Sequence, residues 1–174
     1  WPMGRLVMKF GGTSVADIGR IRNVARHVLR EVKAGNHVAV IVSAMAGTTD
    51  QLVAWCKEAA AVHDAREYDA IVASGEQVTA GLLAIILQDM GVPARSWHGW
   101  QIPLKTDGVH ASARIAEIDA AEIRKRMEQG QVAVVAGFQG IGPDKRITTL
   151  GRGGSDTSAG AIAAALDAAG DIYT

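Results

Sequence analysis

The segment Val7-Met8-Lys9-Phe10-Gly11-Gly12-Thr13-Ser14 carries an apolar strand pattern into two glycines, two hydroxyls and one lysine. Glycine has no Cβ, so its backbone can come close to a bulky anion and turn N–H groups toward it. Lys9 adds a point charge beside those groups. The grouping suits a phosphate, and taken alone it suits a strand ending in a plain Gly-Gly turn equally well. Two later segments share its character. Ser43-Ala44-Met45-Ala46-Gly47-Thr48-Thr49-Asp50 is small and hydroxyl-rich, and Leu150-Gly151-Arg152-Gly153-Gly154-Ser155-Asp156-Thr157 mixes glycines with both charge signs. Both lead into helical patterns, whose N-termini present unpaired N–H groups and a positive dipole end to anions.

Other chemistries lack their residues. No G-x-x-x-x-G-K-[ST] occurs, and no G-x-G-x-x-G follows the first strand pattern. Gly153-Gly154-Ser155-Asp156-Thr157 approaches a serine-hydrolase elbow but lacks its final glycine. His27, His37, His63, His98 and His110 are scattered without metal-ligand spacing, so solvated or hydrogen-bonded histidines are expected and no metal site is assigned.

The elements that must position these residues follow from periodicity. Residues 5–10 read as a strand, and Ile21, Val24, Ala25, Val28, Leu29 and Val32 recur at helical spacing, with Asp17 to cap the start and Gly35 the end. Val38 to Val42 is a continuous apolar run, as in a strand buried on both faces of a parallel sheet. Helices are expected over 51–62, over 68–90 with an interruption near Ser74-Gly75, over 119–129 and over 155–169. Strands are expected over 93–97, 132–136 and 146–150, with another beginning at Asp171. Residues 105–118 read as a loop with a small hairpin, and 137–142 as a Gly-rich loop. Alternating helices and buried strands imply an α/β fold, a three-layer αβα arrangement with a mainly parallel sheet. In such sheets functional residues gather at the carboxyl ends of strands, where all three loops would lie. Trp97 and Trp100 are expected to pack, as large aromatics usually do, and Phe138 to border the cleft.

Bulk properties agree with one ordinary globular domain. The chain has 174 residues, 48% hydrophobic and 21% charged, with 18 basic and 18 acidic side chains. That balance argues against a nucleic-acid or membrane-surface partner, which would bring a basic excess. No uninterrupted apolar run reaches the roughly 18 residues of a membrane span. Cys56 has no partner for an internal disulfide, which points to a reducing, cytoplasmic compartment.

With these residues in view, the chain resembles the aspartate kinases of the amino-acid kinase superfamily. Lys9-Phe10-Gly11-Gly12-Thr13-Ser14-Val15-Ala16-Asp17 is similar to that family's N-terminal signature, and Val42 to Asp50 to its second loop. Ser74-Gly75-Glu76 is similar to its substrate-binding turn, and Gly137-Phe138 and Thr149 to Asp156 to two later elements. The matches occur in family order over nearly the whole chain. The resemblance implies the carbamate kinase-like fold, ATP with Mg²⁺, and L-aspartate phosphorylated on its side-chain carboxylate. It implies that Lys9, with the N–H groups of Gly11 and Gly12, neutralises the transferring phosphoryl group, and that Asp156 holds Lys9 or helps organise the site around Mg²⁺. It implies Arg152 for the α-carboxylate, Glu76 for the α-ammonium, and Ser43, Thr49 and Ser155 as further donors. Each has a plainer alternative: a strand-end lysine, a first-turn acid, an N-cap serine, a solvated helix glutamate.

The resemblance also implies that residues 1–174 are the amino-acid-binding lobe of a truncated kinase domain. Segments for most of the nucleotide, and small regulatory domains, would lie beyond it, so the piece alone is expected to turn over poorly, and to work as a homo-oligomer or assembled with the rest of the kinase chain. Acetylglutamate kinase, glutamate 5-kinase and a non-catalytic binding module remain as alternatives.

Overall fold

The computed structural model describes residues 4–151, 153–167 and 169–173. The elements in chain order are β1 (Arg5–Phe10), a 3-10 turn (Gly12–Val15), α1 (Ile18–Lys33), β2 (His37–Val42), α2 (Thr48–Ala59), α3 (Ala65–Val72) and α4 (Ser74–Asp89). There follow β3 (Ala94–Trp97), β4 (Leu104–Thr106), β5 (Ile115–Ile118), α5 (Ala121–Glu128), β6 (Val132–Ala136), β7 (Gln139–Ile141), β8 (Ile147–Thr149), α6 (Gly154–Leu166) and β9 (Ala169–Tyr173).

The main sheet has five strands in the order β3-β6-β2-β1-β9, and every pairing in it is parallel. Successive side chains of a strand point to opposite faces, so each strand feeds two cores. Leu6, Met8 and Phe10 of β1 join Val38, Val40 and Val42 of β2 beneath α1 and α4. Val7, Ala39, Ile41, Ala133 and Val135 face the other way, beneath α5 and α6. The expected three-layer αβα arrangement is therefore present. Apolar burial on both faces explains why the strand runs contain no alternation.

The same alternation puts Lys9 on the face of Val7, under α6 rather than α1. After β2, Ala44 meets Gly75 at the start of α4, and after β6 the Phe138 amide bonds Ser158 of α6, so the two loops diverge. Such a divergence opens a crevice at the carboxyl ends of the strands, where α/β sheets bind their ligands.

Several boundaries differ from the sequence reading. Asp17 caps α1 as expected, accepting from the Arg20 amide at 2.8 Å. α2 starts at Thr48 because Gly47, at φ +82, turns the chain directly into it. α3 starts at Ala65, where Asp64 caps the amide of Arg66, and Ala73 marks the expected interruption before α4. α6 stops at Leu166, ended by Asp167 at φ +51, although the alanine-rich pattern runs on.

The larger correction is a second sheet of four short strands, β5-β4-β7-β8, which places a strand inside the expected 137–142 loop. Gly140 permits it, since a Cβ there would stand 2.6 Å from the Leu104 carbonyl oxygen. Trp97 packs against the second core, while Trp100 is 45% exposed and lies beside His98. The helical stretch Ala65–Asp89 has the length and apolarity of a membrane span, but half of its most apolar window is buried in the fold, as in a core helix.

Candidate active site

A cleft of about 370 Å³ opens at the carboxyl edge of the main sheet. Lys9, Gly12, Ser43, Thr49, Glu76, Ser155 and Asp156 all line it, together with Asp50, Phe138 and Gly151. Seven residues expected from sequence thus meet in one cavity. Gly11 does not line it; it is buried one position back, and its carbonyl accepts from the Ser14 amide. Arg152 lies outside the described residues.

Lys9 comes from the end of β1, and its Nζ lies 3.0 Å from Oδ1 of Asp156 in the first turn of α6. The helix N-terminus favours the acid, and the acid holds the ammonium at the rim of the cleft. Across the sheet edge, the Ser43 hydroxyl donates to Ser155 Oγ at 3.1 Å, linking the loop after β2 to the start of α6.

Glu76 sits in the first turn of α4 and is only 3% exposed. Its Oε2 has no hydrogen-bond partner. Burial pushes its carboxyl up to about 7, against a smaller pull downward from the backbone amides of Glu76 itself and Ala44. A buried carboxylate oxygen without a partner is costly unless something else completes it. Its environment therefore suits a small cation that enters the cleft.

Close approach of the loops depends on small residues. A Cβ on Gly75 would stand 2.9 Å from the Ala44 Cβ, and one on Gly12 would stand 3.3 Å from the Ala44 carbonyl oxygen. Phe138 adopts φ +72, and its amide donates to Ser158 Oγ at 3.1 Å. Its ring fills the space beside Gly154, where a Cβ would stand 2.5 Å from Cδ2.

Sequence reasoning missed one buried acid. Asp69 of α3 is fully buried and accepts from Thr149 Oγ1 at 2.6 Å, from the Thr149 amide at 3.1 Å, and from the Ala111 amide. His110 Nδ1 lies 2.7 Å away. Read locally, Asp69 was one more acid on a short helix; its partners come from distant parts of the chain.

Among the described residues no three His, Cys, Asp or Glu side chains group as a metal site. The acids lining the cleft are Asp50, Glu76 and Asp156, of which Asp156 is paired with Lys9. That set fits a divalent ion carried mainly by phosphate oxygens, as Mg²⁺ commonly is.

The amino acid kinase family profile matches residues 4–173. The aspartokinase of Bacillus sp. strain MGA3 is 52% identical over 173 residues, which cover 99% of this chain and 42% of that protein. The crystal structure of aspartate kinase from Synechocystis superposes with a TM-score of 0.83 at 44% identity, covering 97% of this chain and 28% of that one. E. coli aspartokinase III in complex with aspartate and ADP superposes with a TM-score of 0.87 at 29% identity, covering 97% and 48%. The chain thus spans less than half the length of these aspartokinases.

Proposed function

The chain belongs to the amino acid kinase family, and from that premise we propose that it carries the amino-acid and phosphoryl-transfer half of an aspartate kinase. In this reading residues 1–174 form the amino-acid-binding lobe, and the reaction moves the γ-phosphoryl group of ATP to the side-chain carboxylate of aspartate. The observation that carries it is the pairing of opposite functions across one cleft. Lys9, held by Asp156, offers a cation to a transferring phosphoryl group, and buried Glu76 offers an unpartnered carboxylate oxygen, Oε2, to an ammonium. The names of the relatives, and the aspartate and ADP in the E. coli neighbour, point the same way.

The chemistry asks little of a base. Aspartate's carboxylate has an unperturbed pKa of about 3.9, so it is already an ionised nucleophile at neutral pH. The difficulty is to bring one anion up to another, which makes catalysis a matter of positioning and charge neutralisation. Lys9 and the Gly12 backbone face the phosphoryl group, with Gly11 shaping the turn behind them. Ser43, Thr49 and Ser155 orient the acceptor, and Arg152 forks onto its α-carboxylate. Mg²⁺ accompanying ATP would neutralise phosphate charge there, and Asp156, paired with Lys9, would be the carboxylate placed to help hold it. Such a reaction on a free amino acid is a cytoplasmic one.

Glu76 favours a substrate with a free ammonium over an N-acetylated one. Hydroxamate trapping of the acyl phosphate, in the intact protein carrying this chain, tests the reading. Product is expected from ATP with L-aspartate and not with N-acetyl-L-glutamate; the opposite pattern would overturn it.

A further inference from the structure

We propose that Asp69 is a positioning residue for the amino-acid site, setting how far Glu76 on α4 stands from the Gly151 loop across the cleft. This rests on the reading of Glu76 as the ammonium-binding group.

The geometry is a clamp with two jaws. One jaw is the pair α3 and α4, which share Ala73 as their junction and carry Asp69 and, seven residues later, Glu76. The other is β8, whose last residue, Thr149, precedes cleft-lining Gly151 by two positions. Asp69 joins them through both carboxylate oxygens: Oδ1 takes the Thr149 hydroxyl at 2.6 Å, and Oδ2 takes the Thr149 amide at 3.1 Å. The same oxygens hold the Ala111 amide, in a residue at φ +65, and face His110 Nδ1. A second buried polar contact reinforces the joint. Gln139, beside Phe138, donates from Nε2 to the Ala73 carbonyl at the start of α4, at 2.8 Å.

Cohesion alone does not call for this arrangement. Burying a carboxylate is expensive, and an apolar contact of the same volume commonly holds two elements at least as well. What the carboxylate adds is direction. Two oxygens engaged by the amide and hydroxyl of one residue leave no freedom for α3 to slide along β8. A slide of that kind would move Glu76 relative to the loop it faces.

The test uses Thr149→Val, which removes the hydroxyl and keeps the shape, Thr149→Ser as the conservative rescue, and Asp69→Asn. In the intact protein, Thr149→Val and Asp69→Asn are expected to weaken aspartate binding about tenfold, with the KM for ATP unchanged and Thr149→Ser close to wild type. Unfolding midpoints are measured alongside. A lowered midpoint with unchanged aspartate affinity below it would make Asp69 merely structural and overturn the proposal. If Asp69→Asn does not fold, Thr149→Val decides. Should the wild type bind no aspartate, the reading of the site fails by itself, and the Glu76 carboxyl titration followed by ¹³C NMR judges the clamp. Movement of that titration in Thr149→Val supports the proposal, and an unmoved titration overturns it.

Discussion

Lys9 Nζ and Asp156 Oδ1 stand 3.0 Å apart, yet the two side chains meet solvent unequally: 9% of the lysine is exposed and 55% of the aspartate. The cation is held inside while its counter-charge faces the cleft. Approaching phosphate can therefore share the ammonium without a buried ion pair having to be broken.

Replacing Lys9 by methionine keeps the stem and removes the charge. Turnover is expected to fall by about a thousandfold or more, the scale of losing a main electrostatic contact in phosphoryl transfer. Asp156→Asn should cost less turnover and about 1 kcal/mol of stability, because its acid is largely solvated. Steady-state kcat and urea denaturation of the two variants separate these effects.

Glu76 makes stability depend on pH. Its folded value, about 7, lies above its ordinary 4.5. The protonated form is thus favoured by folding: the associated stability is complete below about 4.5 and is lost as pH rises through 7. The difference amounts to about 3 kcal/mol, and Glu76→Gln is expected to flatten this part of the stability profile. An incoming ammonium favours the ionised carboxylate. Aspartate binding near pH 6.5 should then release a proton, seen by calorimetry in buffers of different ionisation enthalpy.

Gly75 is a packing requirement. Gly75→Ala would set a Cβ 2.9 Å from that of Ala44, forcing α4 away from the loop after β2 at a cost of about 1–3 kcal/mol. Adding Ala44→Gly removes the opposing atom. A double-mutant cycle on unfolding free energy should give a favourable coupling between the two positions, and strict additivity would refute the contact.

Two glycines stand where nothing needs them small. Nothing lies within 4 Å of a Cβ built on Gly81 of α4 or Gly160 of α6. Each Gly→Ala change is expected to stabilise the fold by about 0.5–1 kcal/mol through helix propensity and a less flexible unfolded chain, read as a rise in Tm.

The sequence made the main sheet visible because β2 and β6 are apolar on both faces and stand out as unbroken runs, with β1 broken only by Lys9. The loops at their ends were readable for a related reason: glycines, hydroxyls and charges are conspicuous against such strands. The second sheet was legible only in pieces: the hairpin within 105–118 is β4 and β5 and the strand over 146–150 is β8, while β7 and the pairings that join them into one sheet were hidden. Its strands are three or four residues long, too short to show a period, and Gly140 in β7 reads as a loop residue although sheet packing is what requires it. Asp69 was hidden for another reason. A lone acid on a helix looks solvated, and only the fold brings Thr149, Ala111 and His110 to it.

The order of strands in the main sheet has a consequence for synthesis. β1 and β2 are neighbours in chain and in space, so a chain emerging from its N-terminus can pair them early. β3 is made next but, among the described residues, pairs only with β6. Until β6 arrives, β3 has no strand beside it and the part of α4 that packs on β6 stays uncovered, the kind of interval in which nascent chains associate wrongly. The cleft shares that delay, because Phe138 and the α6 loop follow β6. A ribosome-bound chain halted before residue 132 should therefore hold half a sheet and no complete site, making β6 the step that commits the domain to its native form.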